Sequence, residues 1–295
     1  MNIREQGFLL LSSYLGDPER RPLTVPQLRK LAGLVRTMER PTQQRELTVE
    51  DLLSIGCDRN LARRTLQLLD QTELLKDYLY AGSRTGCYPL TRISDGYPGR
   101  LQAALGLDAP GVLWYKGDLS LLEKPRISLV GSRDLGIENA MFAQEIGKQA
   151  ALQGYVLVSG NARGADKVAQ DSCLYHGGCV ISVVADRLDS QKNGKNLLYL
   201  SEEGFDLPFT AQRALQRNRI IHSLSDKTFV AQCTLGKGGT WSGTRDNLRH
   251  DRSQVFCFND GSDAFRELTQ MGAATVDKYD LTNLAEIQSA SIRFL

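Results

Sequence analysis

The stretch "RISLVGSRDLG", residues 126 to 136, decides the fold. Ile127 to Val130 is an apolar run of the kind that fills a buried strand, and it stops abruptly at Gly131-Ser132-Arg133 before a helical pattern. A strand that leads through a small-residue turn into a helix is how α/β proteins hold phosphate, because the helix start offers unpaired amides and a partial positive charge. A dinucleotide-binding turn would carry three glycines. This one carries a single glycine and an arginine, so the anion it suits is one that calls for a fixed positive charge.

Working outward, the same rhythm repeats. Tyr155 to Val158, Val180 to Val184, Thr228 to Ala231 and Gln254 to Phe258 are short aliphatic or β-branched runs alternating with helical patterns. Such alternation predicts an α/β fold with a mostly parallel, Rossmann-like sheet flanked by helices. Two more corners follow strands: Ser159-Gly160-Asn161-Ala162-Arg163-Gly164-Ala165-Asp166, and Gly236-Lys237-Gly238-Gly239-Thr240-Trp241-Ser242-Gly243-Thr244. In a parallel sheet all three corners lie at the carboxyl edge, where open α/β folds bind ligands.

The corner chemistry suits phosphate. Gly131, Gly160, Gly164, Gly238 and Gly239 let backbone amides approach an anion. Ser132, Ser159 and Thr240 can donate hydroxyl hydrogen bonds, and Arg133 and Arg163 supply planar, permanently charged forks. The structural alternative for any one corner is a tight turn with a solvated arginine. Residues 205 to 252 hold eight Lys or Arg and four Asp, against a net charge of +2 for the whole chain. Arg213 and Arg217 share a face if their segment is helical. With Asn218, Arg219 and Lys237, this stretch is read as a phosphate-binding surface for a ligand with several phosphates, hence nucleic acid. A solvated helix face is the alternative. Whether Tyr175, Phe209 or Trp241 faces a groove stays open at this stage.

Before Tyr88 the pattern is helical. Val25, Leu28, Leu31, Val35 and Met38 recur at helical spacing, with Thr24 as a cap and Pro26 near the start. The segment from Pro41 to Thr48 breaks the pattern, and Thr48 caps a second unit. Ser54 to Asn60, followed by Leu61 to Leu66, looks like a degenerate helix-hairpin-helix, or else a small bundle with a glycine turn. The expected organisation is a small helical N-terminal domain (1 to 80), a linker and lead-in (81 to 125), the Rossmann-like domain (126 to 275) and a short tail (276 to 295).

With 295 residues, 41% hydrophobic and 24% charged, the chain has an ordinary globular composition and room for a full core. Its six cysteines are scattered, with no C-x-x-C pair, and its three histidines form no metal-ligand pattern with them. Free thiols, the lack of a signal peptide and the lack of any run of about 20 apolar residues predict a cytoplasmic protein with no membrane contact. No metal or cofactor is expected.

Taken in order, Tyr97-Pro98, Leu113 to Gly117, Gly131-Ser132-Arg133, the Ser159 to Asp166 corner, Gly177-Gly178, Ser201-Glu202, and Arg217 to Ile221 with Leu224-Ser225 form a specific combination. Over residues 88 to 260 the chain resembles the DprA (Smf) family of bacterial DNA-processing proteins of natural transformation. The resemblance implies an extended Rossmann-like domain that binds single-stranded DNA, shields it, and helps load a RecA-type recombinase. It also implies a homodimer, DNA contacts at Arg133 and Arg163, and no chemical step. Asn161 and Gln170 depart from the residues usual there, and the short tail predicts a chain without the winged helix of many members. Two rival functions are carried forward: a sensor of a small nucleotide-derived ligand, and a phosphoribohydrolase of the lysine-decarboxylase-like type. The latter needs a glutamate where this chain has Asn247.

Overall fold

The computed structural model describes residues 1–38 and 46–288, so part of the Pro41 to Thr48 segment and the end of the tail lie outside the described residues. Five helices come first: α1 (Ile3–Ser12), α2 (Val25–Val35), α3 (Val49–Ser54), α4 (Arg59–Leu69) and α5 (Thr72–Arg84). The first three start on capping boxes, Asn2 with Glu5, Thr24 with Gln27 and Thr48 with Asp51. Each box satisfies two amides that a helix start leaves orphaned. Then follow β1 (Tyr88–Thr91), α6 (Gly99–Leu105), β2 (Val112–Gly117), β3 (Arg126–Val130), α7 (Ile137–Leu152), β4 (Val156–Ser159), α8 (Ala165–Tyr175), β5 (Cys179–Val183) and β6 (Leu197–Glu202). The chain continues with α9 (Ala211–Ser223), β7 (Lys227–Val230), α10 (Gly238–His250), β8 (Gln254–Phe258), α11 (Asp263–Gln270) and β9 (Ala274–Val276).

All nine strands form one sheet in the order β1-β2-β6-β5-β4-β3-β7-β8-β9. Pairing from β6 through β9 is parallel, while β1 and β2 add an antiparallel edge. Period-two alternation divides the core. Ile127, Leu129 and Leu157 face α7 and α8, whereas Val130, Val156 and Val158 face the layer of α6, α9, α10 and α11. From β3 the chain winds one way through β4, β5 and β6, then returns to β7 on the other side of β3. That reversal makes the β3/β7 seam the switch point of the sheet, where two successive corners open a crevice.

The linker expectation for 81 to 125 is corrected. This segment supplies β1 and β2, and Leu90, Tyr97, Leu101, Leu113 and Leu121 lie in the sheet's core. Its turn-forming residues connect these two edge strands to each other and to β3. The expected boundary at 80 falls inside α5, which packs onto the sheet edge. Tyr78 meets Trp114 edge-on at 5.2 Å and Phe205 at 4.7 Å, and its hydroxyl donates to Asp206 Oδ1 at 2.7 Å. The helix after the Ile55-Gly56 turn is capped by Asp58, which accepts from the Leu61 amide at 2.9 Å and pairs with Lys30 at 3.0 Å. A carboxylate therefore already stands at the α4 start, where a helix-hairpin-helix would present amides to a DNA phosphate. Among the described residues no helix is long and apolar enough to cross a membrane.

Candidate nucleic-acid interface

The three corners meet. The Ala165 amide of the second donates to Ser132 O of the first at 3.1 Å, and the Ser132 amide donates to Gln232 O at 2.9 Å. Thr240 Oγ1 at the third donates to Gly131 O at 2.9 Å. Approach this close requires glycine. Gly164 has φ +90, and a Cβ there would run into the carbonyls of Ser132 and Arg133. Where the first and third corners face one another, a cavity of about 780 Å³ opens. It is lined by Ser132, Arg133, Phe209, Lys237, Trp241 and His222, among others.

The corners differ in what they leave free. At the second, Asp166 Oδ2 accepts from the Gly160 and Ala162 amides at 3.0 and 3.2 Å. Burial pushes the Asp166 carboxyl up, opposed by the nearby Arg217 charge and by those two amides. This corner thus carries its own internal anion. Arg217 lies beneath it, buried, with Nη1 donating to Val183 O at 2.8 Å, and a Cβ on Gly160 would overlap its guanidinium. Ser159 is fully buried and engaged by Gln170. Asn161 adopts φ +57, a left-handed conformation that asparagine populates more readily than most residues.

At the first and third corners two cations are open. Among the described residues neither Arg133 nor Lys237 has an acidic partner, both are exposed, and both line the cavity. The start of α10 has no side-chain cap among the described residues, and its first residues, Gly238, Gly239 and Thr240, line the same opening. Phe209, 52% exposed, stands over Arg133 with its ring centroid 6.0 Å from the guanidinium carbon. Arg213 holds the Phe209 loop by donating to Ala185 O, Leu207 O and Pro208 O at 2.8 to 3.0 Å.

Several predicted site residues are elsewhere or already engaged. Ser159, Gly160, Arg163, Gly164 and Arg219 do not line the cavity. Arg163 is exposed at the outer rim and pairs with Asp134 at 2.7 Å. Arg219 pairs with Glu202 away from the opening. Asn218 Nδ2 donates to Gly239 O at 3.0 Å, and the Thr240 hydroxyl proton is used on Gly131. The basic stretch from 205 to 252 is thereby largely internal: Lys227 donates to Leu284 O and Ala285 O, Arg252 pairs with Asp246, and only Arg217 and Lys237 of the eight line the cavity. A charge count along the chain cannot tell a solvated cation from one satisfying carbonyls inside the fold.

Replacing Arg219 by alanine is expected to cost about 1–2 kcal/mol of stability, because Glu202 would be left without its partner. The lowered midpoint in urea should come with an unaltered salt dependence of any polyanion binding. A changed salt slope would return Arg219 to the interface.

His222 and Asp166 carry more of the site than their local sequence signals. Asp166 was visible as the last residue of the second corner, six positions from the amide it holds. Nothing local marks His222.

The chain is an α/β protein with an open, mostly parallel sheet and, at its switch point, a crevice lined by Arg133 and Lys237. The family model for DNA recombination-mediator protein A matches residues 89–284, and the chain belongs to that family. It is 31% identical over 249 residues to DNA processing protein DprA of Streptococcus pneumoniae, covering 78% of this chain and 84% of that protein. It is 30% identical over 199 residues to protein Smf of Escherichia coli, covering 62% and 52% of the two chains. The solved structure of the Streptococcus pneumoniae protein superposes with TM-score 0.71 at 26% identity, over 98% of this chain and 99% of that one. DNA processing protein A of Helicobacter pylori, solved in a study of its single-stranded DNA binding mode, gives TM-score 0.57 at 26% identity over 67% and 94%.

Proposed function

We propose that this chain binds single-stranded DNA at the β3/β7 seam and serves as a recombination mediator of the cytoplasm. The observation that carries this is the convergence of Ser132, Arg133, Lys237 and the uncapped start of α10 on one opening. Together they offer hydroxyl, guanidinium, ammonium and amide donors to a phosphodiester, with Arg163 at the outer rim to take a neighbouring phosphate. Phe209 supplies an aromatic face of the kind on which a base stacks. Gly131, Gly160 and Gly164 act by bringing the corners together, and Arg217, Asn218 and Arg219 by holding α9 beneath them. As a family member the chain is read as a homodimer that shields the strand and helps a RecA-type recombinase onto it.

No chemical step belongs to this reading. Of the acids on the cavity wall, Asp166 is held by two amides and Asp134 by Arg163. Asn247 is buried against His222 and Ser253. A small-nucleotide ligand remains the second reading, favoured by the size of the cavity.

Titrating a labelled single-stranded oligonucleotide at increasing salt tests the proposal. The expected affinity falls steeply, with a log–log slope of about −2 to −3 for three or four contacted phosphates. A flat salt dependence would overturn the polyanion reading, and a saturable rise in melting temperature with a free nucleotide would favour the second.

A further inference from the structure

One face of α10 carries charge that the fold does not use. Ser242, Arg245 and Arg249 follow one another at intervals of three and four residues, so they form a single stripe along the helix. Ser242 and Arg249 are exposed, and Arg245 is half-buried. Among the described residues neither arginine has an acidic partner. Asp246, the one acid within α10, is already shared by Arg252 and His250. Two arginines one turn apart repel each other. The partial negative charge at the end of α10 favours Arg249 in its last turn, but it fades before Arg245.

Arg245 is nonetheless held in place. Its guanidinium carbon lies 5.6 Å from the centroid of the Trp241 ring, and its Nε is buried without a hydrogen-bond partner. Trp241 and Ser242 both line the cavity, so the stripe begins at the cavity mouth and leads away from it along the helix. Toward the second corner the rim instead carries Asp134, already paired with Arg163.

Resting on the single-strand reading, we propose that the bound strand leaves the cavity along this outer face of α10, where Arg245 and Arg249 hold two further phosphates. A guanidinium restrained over an indole keeps its Nη donors free while it has little motion left to lose, which suits it to a phosphate oxygen. From Ser242 to Arg249 the helix rises roughly 10 Å, enough for two successive phosphates of a single strand. The stripe is continuous with Arg133 and Lys237 at the mouth, so a polyanion seated there meets Arg245 next.

Labelled dT oligomers of about five and about fifteen nucleotides, titrated over a range of salt against wild type, Arg245→Ala, Arg249→Ala and Arg249→Glu, test this. In wild type the longer oligomer is expected to show a log–log slope steeper by about 1 to 1.5, as two added phosphates require. Arg249→Ala should weaken the longer oligomer about three- to tenfold and take about 0.7 off its slope, with binding of the shorter one unaltered. Arg249→Glu should weaken the longer oligomer further, because repulsion replaces attraction. Arg249 is exposed and holds no described neighbour, so both of its variants keep the fold and decide even if Arg245→Ala, which uncovers Trp241, does not. Wild-type affinity and slope for the longer oligomer in both Arg249 variants would overturn the α10 path while strand binding at the seam stands. An equal loss at both lengths would overturn it as well. If wild type binds neither oligomer, the strand reading falls and this inference with it. Poly-glutamate that binds wild type but not Arg249→Glu, with the longer oligomer indifferent to that change, would assign the stripe to an acidic protein segment instead.

Discussion

Arg133→Ala is expected to weaken single-stranded DNA binding by about 10- to 100-fold and to reduce the salt slope by about one. The size follows from its setting. Arg133 is exposed on the cavity wall, carries no acidic partner among the described residues, and is held beside the amide-bearing start of α10. A charge-assisted hydrogen bond to phosphate there has no internal competitor. Arg163→Ala should cost less, about two- to fivefold, because Asp134 already pairs with that guanidinium at 2.7 Å and the pair is well exposed. Fluorescence anisotropy at two salt concentrations separates the two variants. Wild-type affinity in Arg133→Ala would remove the β3/β7 seam as the interface, and equal losses in both would show that Asp134 yields Arg163 to the ligand.

Acid should destabilise the fold through His222. Burial and the Arg252 charge push this imidazole down to about 3, with Asp246 opposing. In the unfolded chain it returns to about 6.5. Between those values the unfolded state binds the extra proton, so stability contributed by the neutral ring is present above about pH 6.5 and is lost as pH falls toward 3. The expected slope is about 1.4 kcal/mol per pH unit, roughly 4 kcal/mol over the interval. Buried carboxyls such as Asp166 and Glu202, both pushed upward by burial, act in the opposite sense, since protonation suits their folded surroundings. The difference between the urea stabilities of wild type and His222→Ala, measured from pH 7 to pH 4, therefore isolates the histidine. A pH-independent difference would contradict its neutral burial.

How far the molecule was legible in advance depended on whether a signal was local. β3, β4, β5, β7 and β8 were visible because both faces of a central parallel strand are buried, which makes each a continuous apolar run. β1 and β2 lie toward the antiparallel edge, where Tyr88 and Tyr115 are only partly covered, and β9 has three residues. β1 and β9 are short and partly exposed, and in β2 the apolar run is cut by Lys116 and Gly117, so none of them reads as a continuous apolar strand. Within the site, Arg133 and Lys237 were legible as cations beside glycine turns. Ser159 and Arg219 looked equally suitable, yet one hydroxyl serves Gln170 and one guanidinium serves Glu202.

The sequence alone determined the strand–turn–helix units, the glycines that let the three corners touch, and the family. These are matters of local pattern, and a glycine turn after an apolar strand means much the same wherever it occurs. Only the tertiary structure decided which corner stays open to an anion, because that depends on the side chain that reaches back to it. Asp166 fills the second corner, no side chain among the described residues caps the start of α10, and His222 reaches the cavity from α9. A donor's availability is settled by its neighbours in space, and those neighbours come from segments tens of residues apart.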